Sequence, residues 1–432
     1  MGYAWPQQSQ EPPSKIIQVT PVDVPDLKAP VSEMRDFIER FVTDYRGIRR
    51  TTPIDDSPAG IATLREMYSR WLVALKAMPF ESMGHDGQID WVLVKNDLDY
   101  RLRELDRQEK LRSETEPLLP FRPSLEALEE ARRKMEPTDP AKAAAVLSDV
   151  TKQIAEVKKT AESKKVKKSV ANRASGDVNN LRQTLAGWNR FYTAYDPLFT
   201  WWTAEPYKAL DAALADYAKF VREKVAGIKP GDDHAIVGDP IGRDALIAEL
   251  RREMIPYTPE ELLELAEKEF KWCEAEMKKA SNEMGFGDDW KKALEKVKQD
   301  HVEPGKQPEL IKELALEAIK YVDDHDLVTV PPLCRETWRM EMMSPERQLA
   351  SPFFTGGEVI SIAFPTAGMA HEQKMMSMRG NNKHFSRATV HHELIPGHHL
   401  QGFMQQRYRN YRGMLGTPFL VEGWALYWEM LL

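Results

Sequence analysis

Cysteine is nearly missing from this chain: Cys273 and Cys334 are the only two in 432 residues, which excludes a disulfide framework as the source of its stability. Long apolar runs are missing as well. No stretch approaches the roughly 18 residues that a membrane-spanning helix needs, so an integral helical membrane protein is excluded. The opening MGYAWPQQSQEPPSK lacks the basic start and apolar core of a secretory signal, and Pro6 stands where a myristoylation motif after Gly2 wants serine or threonine. Few thiols and no leader together lead us to expect a cytoplasmic location. Positive charge is not in excess either: a net charge of -7 gives solubility and no electrostatic ground for nucleic-acid binding. No internal repeat is visible, which disfavours a solenoid.

What the chain does contain is ordinary for a soluble protein, 42% hydrophobic and 29% charged residues, enough for a sizeable core. Pro6, Pro12, Pro13, Pro21, Pro25 and Pro30 mark residues 1–30 as an extended or disordered tail. From Ser32 onward the apolar spacing is helical. Met34, Phe37, Ile38, Phe41, Val42 and Tyr45 form one stripe, and Leu64, Met67, Trp71 and Leu72 another. Thr258-Pro259-Glu260-Glu261 opens a helix expected to run to about Met284, where Gly285 and Gly287 stop it, and residues 308–323 predict a further helix. A single strand is predicted over residues 358–364, introduced by Gly356 and Gly357 and closed by Pro365. The expected fold is mainly α with a small β element.

Lys152, Lys158, Lys159, Lys164, Lys165, Lys167 and Lys168 lack interleaved aromatics and read as the solvated face of a long helix rather than a nucleic-acid patch. The group Trp188, Phe191, Tyr192, Tyr195, Phe199, Trp201 and Trp202 suits a core, or alternatively one wall of a substrate cleft.

The chemistry is concentrated in His391-His392-Glu393-Leu394-Ile395-Pro396-Gly397-His398-His399, followed by Glu422 in VEGW. Four histidines and a glutamate so close together are best satisfied by a divalent metal, zinc by ligand type, although cobalt, manganese or iron also accept imidazole and carboxylate. Helical zinc sites use HExxH, because residues four apart lie about 40° from each other. Here Pro396 occupies the position four after His392. On a straight helix His398 would face away at about 240°, and His399 would sit about 10 Å further along the axis. A bulge at Pro396 and Gly397 that loops out two residues restores HExxH with His392 and His398 as ligands, whereas looping out three would choose His399.

The third ligand is expected to be Glu422, on a helix with Thr417 as N-cap and Pro418 as its first residue, reached through a return turn over residues 408–416. Glu429, two turns beyond on the same face, is either a carboxylate that orients a ligand or a solvated one. Glu393 would be the general base, and His391 and His399 would orient ligands or contact an oxyanion. His371 and His384 lie off ligand spacing and read as surface histidines. The strand residues Glu358, Val359, Ile360, Ser361 and Ile362 are candidates for pairing with an extended peptide, with a purely structural strand as the equal alternative.

HELIPGHHLQ from His392 to Gln401, together with VEGWALYWE from Val421 to Glu429, resembles the peptidase-like family known as domain of unknown function 885. The likeness extends to YDPLFTWW at Tyr195 and YTPEEL at Tyr257. Its pattern HExxPGHxxQ maps onto His392, Glu393, Pro396, Gly397, His398 and Gln401, which favours His398 over His399, and its EGWA element maps onto Glu422 to Ala425. The resemblance implies a gluzincin-type helical zinc peptidase of two lobes, a helical N-terminal lobe over residues 31–235 and a catalytic lobe over residues 236–432, with one zinc ion per chain, a water-activating Glu393, and short peptides as substrates. Family members usually continue well past the EGWALY helix, so a C-terminally truncated chain is expected, with oxyanion-stabilising groups lacking. The alternatives are a weak or inactive helical protein that binds metal or peptide, and a metal-dependent amidase or esterase.

Overall fold

The computed structural model describes residues 31–52, 54, 56–232, 235–350 and 354–432. The tail expected over residues 1–30 lies outside them. The chain forms two compact units, one spanning Ser32–Pro259 and the other containing Glu260–Leu432.

Among its described residues the regular structure of the first unit is all helical: α1 (Arg35–Thr51), α2 (Pro58–Lys76), α3 (His85–Thr115), α4 (Arg122–Arg133), α5 (Pro140–Ala161), α6 (Lys168–Thr193), α7 (Pro197–Phe220) and α8 (Arg243–Arg252). Three of these begin with the same device. Ser57, Asp139 and Asp196 each accept a main-chain N–H of the first turn, and a proline follows at the first helical position, where its missing N–H costs nothing. The core is built from stripes at helical spacing: Leu147, Val150 and Ile154 on α5, Ala174, Val178, Leu181, Leu185 and Trp188 on α6, and Leu210, Leu214 and Tyr217 on α7. Arg112 donates to both oxygens of Glu126 at 2.7 and 2.6 Å, and Arg122 donates to Asp177, so these buried charges are paired.

The lysine-rich stretch departs from the single long helix expected. Residues 162–167 separate α5 from α6, and like charges at Lys164 and Lys168 disfavour a continuous helix there. Lys152, Lys158 and Lys159 pair with Asp149, Asp216 and Glu156. Of the aromatic group, Trp188, Tyr192 and Phe199 are buried, whereas Phe191, Tyr195, Trp201 and Trp202 are exposed.

The second unit continues with α9 (Pro259–Glu283), α10 (Trp290–Val297), α11 (Gln307–Asp324), α12 (Pro332–Thr337), β1 (Arg339–Met342), α13 (Pro345–Ala350), β2 (Val359–Ile362), α14 (His371–Gly380), α15 (Lys383–Glu393), α16 (His398–Arg407) and α17 (Pro418–Leu431). The helices opened by TPEE and ended before Gly285, and over residues 308–323, form within a residue or so of expectation. Among the described residues β1 and β2 make a two-stranded parallel sheet, Arg339 opposite Val359 and Met342 opposite Ile362.

α11 supplies the floor beneath the histidine-rich segment. Its Leu310, Ile311 and Leu314 pack with Phe354, Ile360, Ile362, Val390 and Leu394, and its Ile319 and Val322 pack with Cys334, Ile395, Leu400 and Phe403. Leu394 and Ile395 therefore anchor the chain in two neighbouring apolar clusters just where α15 gives way to α16.

Tyr217 donates its hydroxyl to the Leu118 carbonyl at 2.7 Å inside the first unit. Tyr217→Phe should leave that buried carbonyl unpaired and lower stability by about 1–2 kcal/mol, readable as a shift in the urea midpoint at unchanged slope.

Candidate metal centre

Two candidate ligands six residues apart, His392 and His398, are brought together by a break rather than the bulge expected. α15 stops at Glu393, residues 394–397 cross over, and α16 restarts at His398. Asn382 caps the start of α15, accepting from the N–H groups of His384 and Phe385 at 3.1 Å. Pro396 has no N–H to continue the ladder, and its peptide bond with Ile395 is cis. Gly397 folds back onto the end of α15 so closely that a Cβ there would lie 1.8 Å from the His392 carbonyl oxygen. Only glycine fits. The imidazoles of His392 and His398 then face each other edge to face, their centroids 4.5 Å apart.

α17 brings the carboxylates. It begins at Pro418 as expected, but Thr417 makes no side-chain capping bond. Glu422 Oε2 lies 3.4 Å from His392 Nε2 and 3.7 Å from His398 Nε2. The three donor atoms fall within 4.8 Å of one another. Ligands about 2.0–2.1 Å from a tetrahedral ion are separated by about 3.3–3.4 Å, close to the two carboxylate–imidazole spacings, so this two-imidazole, one-carboxylate set could hold a divalent metal. Glu429, one heptad along α17, bonds His392 Nδ1, which leaves Nε2 on the side of Glu422. The indole N–H of Trp424 donates to the Pro396 carbonyl at 2.8 Å and ties α17 to the break itself. Glu422 is well exposed while both histidines are largely covered, so the cluster opens to water on the carboxylate side.

Glu393 is next to the cluster but not in it. Burial pushes its carboxyl above the usual range, opposed by the neighbouring histidines and by the N–H of Gly356, which donates to Oε2 at 2.8 Å. His399 points elsewhere: its Nε2 is 2.8 Å from the Cys334 carbonyl, and burial lowers its pKa. His391 is buried too, its pKa lowered to about 4 by desolvation and by the nearby Arg387. Gln401 donates to the Leu420 carbonyl at 3.4 Å, a contact between α16 and α17. His384 pairs with Asp300 at 3.4 Å and His371 is exposed at the start of α14.

Of the strand residues, Glu358 and Val359 are exposed, and Ile360, Ser361 and Ile362 are buried. One edge of β2 is occupied by β1. On the other, Ser361 exchanges main-chain bonds with Thr355 at 2.7 and 3.3 Å. Sequence reasoning missed the contacts of Gly356, Trp424 and Cys334 with this centre. The glycine pair and the tryptophan of EGW were visible as residues, but nothing local marked their partners.

Residues 43–432 match the family described as bacterial protein of unknown function (DUF885). The chain belongs to that family. No curated protein matches this DUF885 member. A solved structure of a candidate lipoprotein of unknown function from Shewanella oneidensis is similar, with 14% identity, a TM-score of 0.61, and coverage of 93% of this chain and 77% of that one. At that identity the likeness shows the fold. The cytoplasmic location expected from the sequence does not stand against it, since the protein sharing the fold is described as a candidate lipoprotein. Scarce cysteine suits a reducing compartment without requiring one. Among the described residues no helix is long and apolar enough to cross a membrane.

Replacing Glu429 by Gln should weaken divalent-metal affinity about 10- to 100-fold while leaving the helical circular dichroism unchanged, measured by competition with a chromogenic chelator.

Proposed function

We propose that this DUF885 chain binds one divalent ion, zinc by ligand type, on His392, His398 and Glu422, and that the site hydrolyses peptide bonds in short peptides. The convergence of those three donors at metal-ligand spacing carries the reading. When bound, the ion would supply Lewis-acid polarisation of a carbonyl and acidification of a water towards a pKa of about 7.

The chain's own residues divide the remaining work. Glu429 fixes the ring of His392 so that Nε2 is the ligating nitrogen. Glu393, raised by burial and adjacent to both imidazoles, suits a base that takes a proton from the attacking water on Oε1 and passes it to the leaving amine. The exposed face of Glu422 leaves room for substrate. Main-chain pairing of an extended peptide along residues 358–362 is confined to the stretch near Val359, because the groups of Ser361 are engaged. The helical fold and this ligand set are in keeping with a gluzincin-type two-lobed peptidase.

Binding is the better supported half of this reading; turnover rests on Glu393. A second reading, a metal- or peptide-binding protein with weak or no turnover, is favoured by the donor cluster itself, since His392, His398 and Glu422 could hold an ion without any base beside them. A metal-dependent amidase or esterase would use the same residues on a different acyl group.

Elemental analysis of purified wild type should give about one zinc per chain, lost in His398→Ala together with cleavage of a short-peptide panel. Wild type without metal would sink the whole proposal, and cleavage of acyl amides but not peptides would move it to an amidase. Glu393→Gln should keep the zinc and lower kcat by about 10²- to 10⁴-fold; full activity would remove Glu393 from the role of base.

A further inference from the structure

The loop before β2 reaches the reacting carboxylate. Thr355 pairs antiparallel with Ser361, so its main-chain groups face β2. In extended backbone these groups alternate sides, and the N–H of Gly356 accordingly points the other way, to Glu393 Oε2 at 2.8 Å. Gly357, with φ of 123°, a conformation open to glycine, then turns its own N–H to the Glu393 main-chain carbonyl at 3.1 Å. The loop thus grips Glu393 twice, by side chain and by backbone. It does so at a separation that leaves no space: a Cβ on Gly356 would lie 2.8 Å from the Cβ of Glu393.

We propose that Gly356 is a positioning residue for Glu393, its N–H fixing Oε2 so that Oε1 is the oxygen left for proton transfer. This rests on the hydrolytic reading above. A base acts only within hydrogen-bond reach of the proton it takes, and a misplacement of about 1 Å costs about a hundredfold in rate. A carboxylate free to rotate about its terminal torsion would spend part of its time out of line. A main-chain donor removes that freedom without adding a side chain to the site.

The test uses the full chain loaded with zinc and assayed on a short peptide. Gly356→Ala should keep wild-type zinc content and KM within about twofold while kcat falls about tenfold to a hundredfold. Added to Glu393→Gln, the same substitution should cost no further activity, since a residue acting through Glu393 has nothing left to position. Equal losses in both backgrounds, or an unchanged kcat, would overturn the proposal.

Amide hydrogen exchange at Gly356 in the metal-free protein gives an independent readout that stands even where Gly356→Ala does not fold. Protection should fall about tenfold in Glu393→Ala, the loss of one charge-assisted bond, and unchanged protection would overturn the contact. Wild type that binds zinc and cleaves nothing would instead overturn the hydrolytic reading, a different outcome from active wild type indifferent to Gly356→Ala.

Discussion

The approach of Gly397 to the carbonyl of His392 is the constraint on which the candidate metal centre depends. A continuous helix cannot aim residues 392 and 398 at one point, because its repeat places them on different faces. Ending the helix and restarting it one short crossing later solves the geometry, provided that the crossing is tight enough to keep both imidazoles at the same level. That tightness allows no Cβ at residue 397. It also requires Leu394 and Ile395 to be held from below, which the two apolar clusters on α11 do. Packing and chemistry share four residues here: two apolar ones set the depth, proline stops the ladder, and glycine closes the turn.

Around this break the centre is assembled by layers of main-chain contacts. Carbonyls and N–H groups left without helical partners where α15 ends are used rather than wasted. Trp424 takes up the Pro396 carbonyl, the N–H of Gly357 takes up that of Glu393, and His399 is drawn to Cys334 and so away from the candidate ligands. The same interruption that brings two ligands together thereby recruits α17, the β2 loop and α12 to its sides. Three separate segments then carry the groups that would hold and serve an ion.

The sequence showed the helical class clearly, because stripes such as Phe37, Ile38 and Phe41, and openings such as Thr258-Pro259, are local signals that tertiary contacts did not override. The ligand candidates were legible for a similar reason: histidine and glutamate at this density carry their chemistry in their identity, and the heptad from Glu422 to Glu429 sets their common face. The form of the crossing was not legible. Whether Pro396 and Gly397 bulge out of one helix or separate two depends on how deeply Leu394 and Ile395 sink into α11, a contact some eighty residues apart in sequence. Gly356 was read only as punctuation before a strand, since its partner, Glu393, lies 37 residues away. The subdivision of the lysine-rich helix escaped notice because repulsion between like charges one turn apart is a property of pairs, whereas helical propensity is judged residue by residue.

The Trp424 contact couples the stay of a bound ion to the motion of one helix. Glu422 and Trp424 sit on the same helix, one as a candidate donor to an ion and the other as the clasp on the crossing that carries the two histidines. Loosening α17 would therefore withdraw a ligand and relax the spacing of the other two in a single event. Ions would be expected to leave through such local openings, which occur far more often than global unfolding, so the residence time of the ion would report the opening rate of one helix.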